Sequence, residues 1–181
     1  MLIDDVMMEK LFRFKLLVVI ALAVILLSSF TLVKTHNRDN AYSLPSSVKA
    51  LVTKETKGMT EKQIIDYSVQ FTASRLQFAE ANDMAHGKAN CVGYAQYCSA
   101  VCNHALANNG YRHRSKPVVG YVSNCGVNLC SVLKSIVPGS HWQNFVKNHD
   151  FVELKLDDAT YYFDPSLYDV LGDNCLTKKD T

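Results

Sequence analysis

The chain has 181 residues, 48% of them hydrophobic, which is room for one cored domain plus a tail. Its formal net charge is +2, and residues 1–38 supply it with five Lys/Arg against three Asp/Glu, leaving 14 of each sign in residues 39–181. So balanced a domain lacks the basic stripe of a nucleic-acid binder, and no nucleic-acid partner is expected.

The first feature in chain order follows a short tail, residues 1–15. Leu16 to Val33 is uncharged and mostly Leu, Val, Ile and Ala, closed by Lys15 and Lys34. As a helix, such a run would rise about 27 Å against a hydrocarbon core of about 30 Å. It reads as a transmembrane anchor over 16–33; the alternative is a cleaved signal peptide, though Ser-Ser-Phe-Thr-Leu-Val lacks an Ala-x-Ala cleavage pattern. Lys10, Arg13 and Lys15 before the run outnumber Lys34 and Arg38 after it, so the domain is expected outside the cytoplasm.

Residues 34–58 read as a linker, beginning with the polar KTHNRDNAYSLPSS, and the domain proper is expected over 59–181. Thr60 and Gln63 form a capping-box pattern, and Ile64, Ile65, Val69 and Phe71 predict a helix over about 61–80. A second helix is predicted from Ala89 to Asn108, stopped by Asn109-Gly110. Residues 116–122 read as a strand. Residues 123–147 are irregular, with one short helix near 129–136 and a Cys125/Cys130 pair able to close a small ring. His149 to Leu156 alternates as a half-buried strand. Asp157-Asp158 makes a turn, and Thr160 to Phe163 returns as the second arm of a hairpin stopped by Pro165. Helices followed by antiparallel strands define an α+β class.

Three residues in this pattern carry chemistry. Cys91 falls at the predicted start of the second helix, where unpaired N–H groups favour a thiolate and can hold an oxyanion. His149 opens a strand and can take the thiol proton. Asp164, at the far end of the hairpin, falls near His149 and can orient its ring. Taken singly, Cys91 also suits a small buried thiol, His149 a packing residue and Asp164 a turn cap before Pro165.

The three segments Asn90-Cys-Val-Gly-Tyr-Ala95, His149-Asp-Phe-Val-Glu153 and Phe163-Asp-Pro165 resemble, in that order, the Cys, His-x-aromatic-x-Glu and Asp-Pro segments of transglutaminase-like domains. The resemblance covers about residues 60–170. It implies a papain-like core with the Cys helix packed on an antiparallel sheet. It also implies a Cys91–His149–Asp164 triad, with Cys91 as nucleophile, His149 as general base and then acid, and Asp164 as orienter. Phe151 stands where that family often has Trp; the single Trp142 follows His141, but no alternating strand follows that pair. Tyr67, His86 and Asn90 are the candidate side-chain donors to an oxyanion.

No cofactor or metal is expected. Cys98, Cys102 and His104 lack the tight Cys-x-x-Cys knuckle of structural zinc, and Gly93, Gly110, Gly120 and Gly126 are too isolated for a phosphate loop. The pairing of Cys98, Cys102, Cys125, Cys130 and Cys175 is open. The function expected is amide or peptide acyl transfer through a thioester, hydrolysis before crosslinking, on a peptide or protein substrate. The alternative is a non-catalytic binding module on the same fold, accessory to a membrane assembly.

Overall fold

The computed structural model describes residues 30–39, 42–124, 127–128, 148–172 and 174–180. In chain order the elements are β1 (Phe30–Asn37), α1 (Ser46–Glu55), α2 (Glu61–Arg75), β2 (Gln77–Phe78), a 3₁₀ turn (Met84–His86), β3 (Lys88–Ala89) and α3 (Cys91–Asn108). Then follow β4 (Ser115–Asn124), β5 (Val127–Asn128), β6 (His149–Lys155), β7 (Ala159–Phe163), α4 (Pro165–Leu171) and β8 (Thr177–Asp180). The main sheet has the order β1-β4-β6-β7-β8, with β5 on the end of β4, and every pairing is antiparallel. Strands β2 and β3 pair in parallel just ahead of α3.

Pleat alternation divides the sheet into two faces. Val152, Leu154 and Phe163 join the main core, which also holds Ile65, Val69 and Val101 from α2 and α3. Residues opposite one another in the register share the other face, where Val118 faces Phe151, and these pack with Leu32, Tyr162 and Leu167 as a second cluster. α3 is the central element of the main core. It contacts α2 on one side, and β4 and β6 on the other.

Local chemistry explains the element boundaries. The Thr60 hydroxyl accepts from the Gln63 N–H and the Gln63 side chain accepts from the Thr60 N–H, a complete capping box at α2. The helix expected to run to 80 ends at Arg75, because Leu76 turns extended and Gln77 donates instead to the Gly87 carbonyl, founding the β2/β3 pair. α3 starts at Cys91, two residues later than its predicted bound, since Ala89 belongs to β3 and Asn90 is the cap.

Two boundaries of the sequence reading are corrected. Residues 34–58 are not a linker: Lys34–Asn37 complete β1, and Ser46–Glu55 form α1. The domain therefore includes residues from 30 onward rather than from 59, and Phe30–Val33 lie in the sheet instead of ending the apolar run. Edge pairing with β4 outweighs their continuity with the preceding Leu/Val/Ile block, and Leu32 is fully buried. Among the described residues no helix is long and apolar enough to cross a membrane. Residues 16–29 of the proposed anchor lie outside the described residues. So do Cys125, Cys130, the short helix near 129–136, His141 and Trp142.

At Gly120 strand β4 runs between β1 and β6. It stands opposite Lys34 on one side and His149 on the other, beside a β-bulge in β1. A Cβ there would lie 1.9 Å from the Val33 carbonyl oxygen and 2.9 Å from the Phe151 ring. Gly120→Ala is expected to destabilise the domain by about 1–3 kcal/mol through this backbone clash. Urea unfolding should show a lowered midpoint at an unchanged m-value.

Candidate active site

The segment Asn90–Tyr94 assigns one task to nearly every residue. The Asn90 side-chain oxygen accepts from the N–H groups of Val92 (3.0 Å) and Gly93 (3.4 Å), capping α3. Cys91 is the first residue of that helix and is nearly buried, with 8% of its surface exposed. Gly93 lets the preceding loop lie against the first turn, since a Cβ there would sit 2.5 Å from the Asn82 side-chain oxygen. Tyr94 is fully buried, its hydroxyl 2.9 Å from the Leu76 carbonyl and 2.6 Å from Asp169 of α4. Burial and Asp169 together push that phenol up, so it stays a hydrogen-bond donor.

His149 is the first residue of β6 and Asp164 the first beyond β7, both buried. Their register is diagonal rather than directly opposite: Val152 faces Phe163, so Asp164 continues toward Phe151, two positions along from His149. Across this diagonal His149 Nε2 hydrogen-bonds Asp164 Oδ2. Cys91 interacts electrostatically with the same imidazole. All three residues singled out from sequence thus come together.

The second oxygen of Asp164 is also committed. Oδ1 accepts from the Ser166 N–H (2.9 Å), the Ser166 hydroxyl (2.7 Å) and the Leu167 N–H (3.1 Å), capping α4, with Pro165 as its first residue. A turn cap and an imidazole orienter are therefore the same residue. Burial pulls the His149 imidazole down, but the Asp164 charge and hydrogen bond, aided by Cys91, outweigh it and raise the group from 6.5 to about 10. The protonated ring, donating to Asp164, is the favoured form at neutral pH.

The flanks of β6 carry two buried carboxylates. Burial disfavours Glu153 ionisation, yet Lys34 at 2.7 Å and Lys116 at 3.3 Å hold its carboxyl below the usual range. Burial raises Asp150, which is opposed by the Arg38 guanidinium paired with it. Both pairs join β1, or the residue just past it, to the strand that carries His149.

The other candidates have different partners. The Tyr67 hydroxyl donates to Glu55 at 2.8 Å, and His86 pairs with Asp83. The Asn90 amide nitrogen donates to the Glu80 carbonyl while its oxygen caps α3. Cys91 precedes the two N–H groups that Asn90 caps, at the head of α3. Cys98 and Cys102 are free thiols sealed in the core; burial pushes both up, Cys102 to about 11. His104 instead bonds Thr53 and the Lys49 carbonyl of α1. Among the described residues no group of three His, Cys, Asp or Glu could hold a metal ion.

Ser166 and Arg38 were not singled out from sequence. Asp-Pro-Ser is a readable helix-start pattern, a cap followed by Pro at the first position, which was legible only as a strand stop. Arg38 carried no local signal, because its partner Asp150 is 112 residues away. No protein-family model matches the chain, and no curated protein matches it either.

Two outcomes test the geometry. Because the folded-state His149 value lies above the unfolded one, its stabilisation is fully present below about pH 6.5 and is lost as pH rises through about 10. The stability gap between the native chain and Asp164→Asn should therefore narrow from pH 6.5 to 10 in urea melts. Ser166→Ala removes one of three donors to one oxygen of a buried carboxylate and is expected to cost about 1–2 kcal/mol, read by the same melts at neutral pH.

Proposed function

We propose that this chain is a transglutaminase-like cysteine enzyme that acts on amide or peptide bonds, with hydrolysis as its main outcome. The single observation that carries this reading is the relay from a thiol at a helix start, through a buried imidazole, to a buried carboxylate. The motifs Asn-Cys-Val-Gly-Tyr, His-x-Phe-x-Glu and Asp-Pro support it in their order, as does the fate of the buried thiols, which burial keeps protonated.

In the proposed reaction the Cys91 thiolate attacks the carbonyl carbon. Charge developing on the oxygen meets the Cys91 N–H and the positive end of α3. The His149 imidazolium gives its proton to the leaving nitrogen as the C–N bond breaks. An amine departs, leaving a thioester and a neutral imidazole. That imidazole then takes a proton from water, which attacks the thioester and releases a carboxylic acid, restoring thiolate and imidazolium. An amine in place of water would give a crosslink, but water requires no second binding surface. Asp164 holds the ring so that one nitrogen always faces sulfur.

The proposal includes a membrane location. The apolar stretch before β1 ends by Ser29, so an anchor draws on Leu11–Lys15 as well as on Leu16–Ser29. As a helix, those 19 residues would rise about 28 Å, with Arg13 and Lys15 extending toward the surface.

Iodoacetamide alkylation followed by peptide mapping tests the chemistry. Cys91 should react faster than a free thiol near neutral pH, and His149→Ala should slow it by about tenfold or more. Equal rates in the two proteins would overturn the enzyme reading and favour a binding module.

A further inference from the structure

We propose that the Ser166 hydroxyl sets how readily the His149 imidazolium gives up its proton, by drawing charge on Asp164 away from the oxygen that holds the ring. Ser166 is a positioning residue in this scheme: it acts through Asp164 and touches no reacting atom. The proposal rests on the enzyme reading above, in which that proton goes to the leaving nitrogen and another is taken back from water.

The two oxygens of Asp164 face different groups. Oδ2 meets His149 Nε2, while Oδ1 meets three donors. Two of the three are the N–H groups of Ser166 and Leu167, which any residues but proline would supply at those positions. Backbone donors of this kind are enough to cap a helix. The third is the Ser166 hydroxyl at 2.7 Å, the shortest of the set and the only one that depends on the side chain at 166. Ser166 is buried, so bulk water does not compete for this bond. An ionised carboxylate only accepts, and the hydroxyl hydrogen therefore points at Oδ1. A bond of this charge-assisted kind is about twice as strong as a neutral one.

A carboxylate shares one negative charge between its oxygens. Charge drawn to Oδ1 is charge that Oδ2 does not offer to His149, and an imidazolium on a weaker acceptor releases its proton at lower pH. Asp164 is not free to turn away, since its N–H donates to the Asn174 carbonyl at 2.8 Å and Pro165 follows it. Other ionisable groups act on the pair from separate elements. From α3, Cys91 acts on His149 and the buried Cys98 on Asp164. From β6, Asp150 senses the His149 charge and is itself paired with Arg38. A change at 166 leaves all of these side chains in place. Burial pulls the His149 ring down and Asp164 pushes it up, to about 10. A general acid works best when it releases its proton near the operating pH, so a still tighter hold would slow the transfer. The Ser166 hydroxyl opposes that tighter hold.

The test uses the full chain carrying ¹⁵N-labelled histidine. His149 is one of six histidines, and its ring signals are assigned by their loss in His149→Ala. The midpoint of the ring's titration is read by NMR in the native chain, Ser166→Ala, Ser166→Thr and Ser166→Cys, with urea melts on each. Ser166→Ala should raise the midpoint by about 0.5–1 pH unit, because loss of one donor returns charge to Oδ2. Ser166→Thr keeps the hydroxyl and should stay within about 0.2 pH unit of the native chain. Ser166→Cys keeps the size but donates weakly, so its midpoint should also rise, and it decides the matter if Ser166→Ala does not fold. An unmoved or lowered midpoint in Ser166→Ala would overturn the proposal, and so would a Ser166→Thr shift as large as that of Ser166→Ala. A role in capping or packing alone would change the melts and leave the titration where it was. Iodoacetamide labelling of Cys91 separates the two ideas. If Cys91 reacts rapidly with His149 dependence while no Ser166 variant moves the midpoint, the role of Ser166 is wrong and the enzyme reading stands. If Cys91 reacts no faster than a free thiol, the enzyme reading falls and this inference falls with it.

Discussion

The carboxylate of Asp164 joins the parts of this domain that make the candidate site. One oxygen caps α4 through Ser166 and Leu167, and the other holds the His149 ring. Helix α4 in turn presents Asp169 to the Tyr94 hydroxyl, which fixes the first turn of α3, and that turn begins with Cys91. Sulfur, imidazole, carboxylate, short helix and buried phenol thus form a closed circuit. Each member restrains its neighbours. A charge buried this deeply would be costly alone, but three donors on one oxygen and an imidazolium on the other satisfy it.

The His149 strand is braced from the opposite side by β1. Lys34 and Arg38 reach past β4 to Glu153 and Asp150, four residues and one residue beyond His149. The crossing depends on Gly120, whose missing side chain lets the two neighbouring strands approach. Breaking a buried pair by removing one partner typically costs about 3–5 kcal/mol, because the other charge is left uncompensated. The imidazole is therefore positioned by a strand whose own position is set by ionic contacts on one flank and by the β7 hairpin on the other.

Legibility in the sequence followed the range of the forces involved. The Thr60 capping box, the Asn109-Gly110 stop and the β6/β7 hairpin were readable because their chemistry lies within a few residues. The juxtaposition of the three candidate residues was readable for a related reason: Cys91, His149 and Asp164 each sit at an element boundary with distinctive flanks. Strand β1 was hidden because Phe30–Val33 continue an apolar run, and only pairing with distant β4 makes them a strand. Helix α1 begins after Pro45 with no side-chain cap and buries only Val52 fully, so its pattern is faint. Strand β8 is polar Thr-Lys-Lys-Asp at a sheet edge, largely exposed, with no alternation to read. The ion pairs of Arg38 and Lys34 were invisible in principle, since no local pattern relates residues more than a hundred positions apart.

The sheet order also sets a timetable for biogenesis. Among the described elements strand β1 is the first made, yet its partner is β4; Thr31 bonds Ser123, 92 residues later in the chain. At roughly 5–20 residues per second, its sequence waits about 5–20 s before that partner is synthesised. During that interval it has unpaired backbone groups and apolar side chains, the condition under which strands find wrong companions. The intervening stretch contains α1, α2 and α3, which can form from local contacts meanwhile. Closure of the β1 edge is thus a late step in assembly, and the ionic brace behind His149 cannot form before it.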